Sequence, residues 1–113
     1  MTEQNLSHTW EADKSNPETC RKLREALRAV RDPEIGTDII QLGLIRDIRL
    51  GQDRVTIVMI LTTPYCPFGP AMLEAARRKA EETLGIPAKV ELGKEIWDQS
   101  MIEGGSGLDW GLY

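Results

Sequence analysis

Apolar positions follow two different periods along this chain, and the switches between them mark out its elements. Leu23, Ala26, Leu27 and Val30 recur at i, i+3, i+4 and i+7, the single stripe of an amphipathic helix. Ser15-Asn16-Pro17-Glu18 opens it, either as a capping box of Ser15 with Glu18 or as an Asn16 cap followed by proline at the first helical position. Arg31-Asp32-Pro33 closes it, because a residue before proline avoids the α region. The first helix is therefore expected over about 17–30. Residues 32–38, Asp-Pro-Glu-Ile-Gly-Thr-Asp, are a loop rich in turn residues and carboxylates.

Beyond the loop the period shortens. Residues 44–50 alternate as a strand does, residues 51–54 read as a turn, and 55–61 are almost wholly apolar or β-branched. That last run predicts a central strand buried on both faces. Two prolines and a glycine break the pattern over 62–69, and Pro70 follows. Met72, Ala75, Ala76, Lys79, Ala80, Thr83 and Leu84 return to helical spacing, which predicts a second helix from Ala71 to Leu84 with Gly85 as its stop. Ala88 to Leu92 reads as a third strand. The order α-β-β-α-β predicts an α/β (α+β) fold: one compact domain over 15–98, a small sheet with two helices. Residues 1–14 show no apolar period and are expected to be a disordered tail, with Leu6 and Trp10 isolated. The glycine-rich residues 99–113 are expected to be a semi-ordered tail, anchored through apolar residues such as Met101, Leu108 and Trp110, with Trp97 just before it.

Composition narrows the function classes. At 113 residues the chain fits one domain, which buries about two-thirds of its unfolded surface without staples. A net charge of −4, with no basic run longer than Arg77-Arg78-Lys79, argues against nucleic acid as a partner. The N-terminus has no secretory pattern and the longest apolar run, 57–61, cannot span a bilayer, so a soluble, cytoplasmic protein with no membrane partner is expected.

The candidate chemistry gathers around Cys66. This residue lies between a buried strand and a helix N-terminus, where unsatisfied N–H groups and the helix dipole favour a thiolate. Thr62 and Thr63 place hydroxyls nearby, and Pro64 and Pro67 stiffen the backbone. A free cysteine is as often a small buried apolar residue, so spacing alone leaves both readings open. Asp32 and Glu34, taken by residue type, are solvated turn carboxylates; the packing of the first helix on the sheet nevertheless predicts that their loop reaches the end of the second strand, beside Cys66. Cys20, among polar neighbours, reads as a partly exposed bystander. Besides these two cysteines the chain has one histidine, His8, in the tail. It cannot close a four-ligand zinc site by itself, and it offers no histidine base for a thiol enzyme.

Three separated motifs, Asp32-Pro33-Glu34, Leu42-Gly43-Leu44 and the run Leu61-Thr62-Thr63-Pro64-Tyr65-Cys66-Pro67, resemble the small iron–sulfur cluster assembly family that includes SufT-type and PaaD-type proteins. The resemblance covers about residues 17–98. PaaD-type members carry further cysteines in a C-terminal segment; no cysteine follows Cys66 here, which points to the SufT type. The resemblance implies a non-enzymatic accessory role in cluster assembly or delivery. It implies Cys66 as the transient ligand of iron or of a cluster, with Asp32, Glu34, Thr62 and Thr63 around it. Assembly proteins and apo-client proteins would be the partners, a homodimer is admitted, and no stable cofactor is expected. A rival reading is an adaptor that docks clients and never touches a cluster; a thiol-based redox protein is a more distant one.

Overall fold

The computed structural model describes residues 10–63 and 67–102. Its elements are helix α1 (Pro17–Leu27), strands β1 (Ile45–Leu50) and β2 (Val55–Met59), helix α2 (Gly69–Leu84) and strand β3 (Ala88–Leu92), with single 3-10 turns at Glu11–Asp13 and Gln99–Met101. This is the α-β-β-α-β order that the periodicities predict. β2 is central, antiparallel to β1 and parallel to β3. The hairpin turns where the Gly51 N–H donates to the Arg54 carbonyl (2.8 Å). A parallel neighbour needs a crossover, and α2 provides it.

Register sorts the sheet into an apolar and a polar face. Ile48 and Leu50 pair with Ile57 and Val55, which pair in turn with Val90 and Ala88. This face joins Leu23, Leu27, Met72, Ala76 and Ala80 in one core. The opposite face carries Asp47, Arg49, Thr56, Val58, Lys89 and Glu91, with ion pairs Arg49–Asp47 and Lys89–Glu91. The expectation that the central strand is buried on both faces is thereby corrected. Thr56 and Val58 are only half-buried, because the helices supply core residues to one side.

Element ends shift for local reasons. α1 stops at Leu27 rather than Val30, its last turn tightening into bonds from Ala29 N to Ala26 O (3.1 Å) and Val30 N to Leu27 O (3.0 Å), and Val30 stays buried. Asn16 is the cap residue ahead of Pro17, but its side chain donates to Ser15 Oγ instead of capping, and Glu18 pairs with Arg21 rather than closing a capping box. α2 begins at Gly69, two residues early, because proline at Pro70 is tolerated in a first turn.

The N-terminal flank of the domain is more built than expected, and the C-terminal flank is anchored at Trp97 as the sequence leads one to expect. Trp10 is only 2 % exposed, and its indole N–H donates to the Ile45 carbonyl (3.1 Å). Glu11 N donates to Asp47 Oδ1 (2.7 Å), so this turn lies along the outer edge of β1. The disordered tail expected over 1–14 therefore does not extend to Trp10–Lys14; residues 1–9 lie outside the described residues. At the other flank, the Trp97 indole donates to the Leu42 carbonyl (2.7 Å) and Ile102 is buried. Gly43 lies beneath this strap with φ +77°, and a Cβ there would meet the Met101 carbonyl oxygen at 2.1 Å. Glycine is required in Leu42-Gly43-Leu44 on both counts.

Candidate functional site

The loop after α1 is wound around the Asp32 side chain. Arg31 and Asp38 form an isolated antiparallel bridge, and Asp32 N donates to Thr37 O (3.0 Å). Ile35 N (3.2 Å) and Gly36 N (2.6 Å) both donate to the Asp32 carbonyl, with Gly36 at φ +83° where a side chain would be strained. Pro33 costs no hydrogen bond, and Glu34 N donates to Asp32 Oδ1 (2.9 Å), the local turn geometry that aspartate favours. The carboxylate is turned inward and is 0 % exposed, which corrects its reading as a solvated turn residue.

The other carboxylate oxygen faces the end of β2. Thr62 Oγ1 lies 3.5 Å from Asp32 Oδ2 and donates to it. The loop after α1 and the segment after β2 thus meet, as the packing of the first helix predicts. Glu34 does not join them through its side chain, which is exposed; it contributes its backbone N–H. Thr63 is half-buried. Cys66, with Pro64 and Tyr65, lies outside the described residues.

Asp32 is unusual in how little holds it. Among the described residues its carboxylate receives one N–H and one hydroxyl and no Lys or Arg, about half of what its lone pairs accept. A buried carboxylate without a cation carries a desolvation cost. No group of three or more His, Cys, Asp or Glu among the described residues is arranged to hold a metal ion, so iron at Asp32 would need ligands from elsewhere.

Cys20 is a different kind of thiol from the one expected. It is fully buried, and burial followed by the neighbouring Asp13 pushes its pKa up to about 12. A thiol so protonated is inert as nucleophile and as ligand. Sequence reasoning also missed the cluster above it. Arg24 holds Asp13 through both oxygens, NH1 to Oδ1 at 3.0 Å and NH2 to Oδ2 at 2.7 Å, with its guanidinium 3.9 Å from the centre of the Trp10 ring. The only sequence signal was a lone tryptophan three residues before an aspartate.

A second feature borders Thr62. Ile60, Leu61 and Thr62 from one side, with Leu92, Gly93 and the segment 94–97 from the other, line an apolar groove of about 370 Å³ at the carboxyl ends of β2 and β3. Open α/β sheets commonly bind ligands at that end.

Comparison with known proteins agrees with these motifs. The family model described as "Iron-sulfur cluster assembly protein" matches residues 21–102. A relative from Porphyromonas gingivalis, an "Fe-S protein maturation auxiliary factor", is 38% identical over 89 residues, covering 76% of this chain and 85% of that protein. An "Iron-sulfur cluster carrier protein" of Synechocystis is 38% identical over 66 residues, which cover 58% of this chain but only 18% of the carrier. The crystal structure of a domain of unknown function from Bacillus anthracis superposes with a TM-score of 0.76 at 23% identity, covering 88% of this chain and 98% of that one, and shares the fold.

Proposed function

Because the chain belongs to the iron–sulfur cluster assembly protein family and serves as an accessory factor in cluster assembly or delivery, we propose that Cys66 is the transient ligand of the cargo, with Asp32 positioned to assist it. The observation that carries this reading is the Thr62–Asp32 contact. It ties the chain segment leading into Cys66 to a buried carboxylate that, among the described residues, no ion pair consumes. Cys66 precedes the first residue of α2, Gly69, by three positions, so the N–H groups and dipole of that helix favour its thiolate. A soft thiolate suits iron and cluster edges, and one thiolate alone leaves the other positions to an assembly protein, a client or a second copy. Incomplete ligation is what lets a cargo leave. The cluster is carried and no reaction is catalysed, in the reducing cytoplasm where a lone thiol persists. Among the described residues no helix is long and apolar enough to cross a membrane.

Anaerobic reconstitution with iron and sulfide, followed by absorbance and by transfer to an apo-acceptor, tests the proposal on wild type and Cys66→Ser. The variant should lose cluster uptake and slow transfer by at least about tenfold, since serine is a poor ligand for a soft metal site. Unchanged transfer by a folded variant that still binds its clients would make the chain an adaptor that never touches the cluster.

A further inference from the structure

The two edges of the sheet are finished differently. Along β1 the turn at Glu11–Asp13 covers the edge, with the Trp10 indole donating to the Ile45 carbonyl and Glu11 N to Asp47 Oδ1. β3 forms the other edge. Its ladder with β2 is phased by Val55 N donating to Pro87 O (2.9 Å) and Gly93 N to Met59 O (2.8 Å). Pro87, Lys89, Glu91 and Gly93 therefore turn their backbone groups towards β2, and Ala88, Val90 and Leu92 turn theirs outward. Ala88 N is taken by Glu81 Oε2 (3.0 Å), but among the described residues nothing pairs with the outward N–H of Val90 or Leu92. Beyond Gly93 the chain leaves this edge, since Trp97 reaches the Leu42 carbonyl just before β1.

An open edge is a template for another strand, and a lysine on it ordinarily repels one. Here Glu91 stands two residues from Lys89 on the same polar face, and the two pair at 3.3 Å within the strand. That order makes the edge complementary to itself in one antiparallel register. With Val90 opposite Val90 of a second copy, Lys89 faces Glu91 and Glu91 faces Lys89, while like charges meet only on the diagonals. Sliding the pairing by one step of the pleat brings either Lys89 opposite Lys89 or Glu91 opposite Glu91. The same register sets Leu92, 62 % exposed, opposite Ala88 on the apolar face. The neighbouring charges do not oppose it. Glu81 is held by Arg77, Glu82 by Lys79 and Glu95 by Arg46, and Lys94 lies beyond the paired span.

We propose that two copies pair antiparallel through β3 about a two-fold axis at Val90, joining two three-stranded sheets into one of six strands. Val90 N donates to Val90 O in each direction, and Leu92 N to Ala88 O in each direction, so the bond from Ala88 N to Glu81 is kept. Met59 lies one strand in from β3 and level with Leu92, which puts the two β2 ends about 20 Å apart and facing opposite ways. The dimer thus presents two separate candidate sites. A five-residue ladder buries little surface, so the association is weak and concentration-dependent.

Sedimentation equilibrium of the full chain, metal-free and in reducing buffer, tests the pairing without cluster chemistry, so its outcome is independent of the role of Cys66. Wild type should dimerise as concentration rises. Lys89→Glu and Glu91→Lys each place like charges opposite one another, and each alone should weaken the dimer about tenfold or more. Mixed in equal amounts, the two variants restore both opposite-charge pairs and should associate as wild type does. Because both substitutions are at solvated positions of one strand, the mixture reports pairing from chains that are folded. Wild type that stays monomeric up to about 1 mM would overturn the proposal and leave the edge to a strand of another protein. A dimer indifferent to either charge reversal, or a mixture that does not associate, would overturn it as well, since the copies would then meet through another surface.

Discussion

Asp13 and Asp32 are both drawn into the same small domain, and they are held in opposite ways. Asp13 accepts from Arg24 at both oxygens and from Trp10 N at 2.6 Å. Burial works against its ionisation, but the hydrogen bonds from Arg24 and Trp10 and the charge of Arg24 together keep its pKa below the usual carboxylate value. Asp32 is more deeply buried, yet among the described residues it receives a single backbone N–H and a long hydroxyl contact. The first carboxylate is saturated and fastens the N-terminal turn to the domain. The second retains acceptor capacity at a strand end among the described residues, an arrangement that costs stability. Under the proposed function, the contrast distinguishes an acid that fastens the fold from the one assigned to the cargo.

The largest expected effect lies on the structural side. Asp13→Ala removes two hydrogen bonds from the guanidinium of Arg24, whose side chain is only 18% exposed, and should cost about 2 kcal/mol in urea unfolding while leaving cluster transfer per folded molecule unchanged. A cost below about 1 kcal/mol would erase the distinction between the two acids. The sign of the pH dependence follows. With its folded pKa below 3.8, Asp13 contributes stability that is present above that value and lost as pH falls through the folded pKa. The Asp13→Ala variant should therefore show a shallower loss of urea midpoint than wild type as pH drops below about 4.

A smaller effect is expected at Cys20. Its thiol is raised from 9.0 to about 12, so its contribution to stability is complete below pH 9 and lost as pH rises from there toward 12. At pH 8 iodoacetamide, followed by intact-mass spectrometry on Cys20→Ser and Cys66→Ser chains, should label Cys66 at least about tenfold faster than Cys20. Equal rates would remove the argument that the helix terminus activates Cys66. The smallest structural effect belongs to Thr62→Val. Loss of a long hydroxyl contact should change stability by about 1 kcal/mol or less, while slowing cluster transfer several-fold because Asp32 loses its link to the segment carrying Cys66. A stability loss with normal transfer would make the contact structural.

The difference between the acids was only half legible in the sequence. Helical spacing from Leu23 to Val30 and from Met72 to Leu84 identified both helices, and Ala88 to Leu92 marked β3, because burial on one face leaves a period. The same packing argument brought the loop after α1 to the end of β2, where Asp32 meets Thr62. Its limits are equally physical. Trp10 shows no period, since what buries it is the Ile45 carbonyl and the edge of β1, thirty-five residues away. A buried Asp32 and an exposed Glu34 look alike as turn residues, and only the inward wrapping of the loop separates them. Thr56 and Val58 read as core because β-branched residues suit either face of a strand; the helices decided which face is covered.

The rate of cluster transfer by Asp32→Asn, measured beside its urea midpoint, probes the account most directly. Asparagine can still accept from Glu34 N and sheds the buried charge, so the midpoint should hold or rise slightly, whereas transfer should fall by roughly tenfold or more, as when the partner of a metal ligand is removed. A lowered midpoint with wild-type transfer would contradict it, and would make Asp32 a turn residue that happens to be buried.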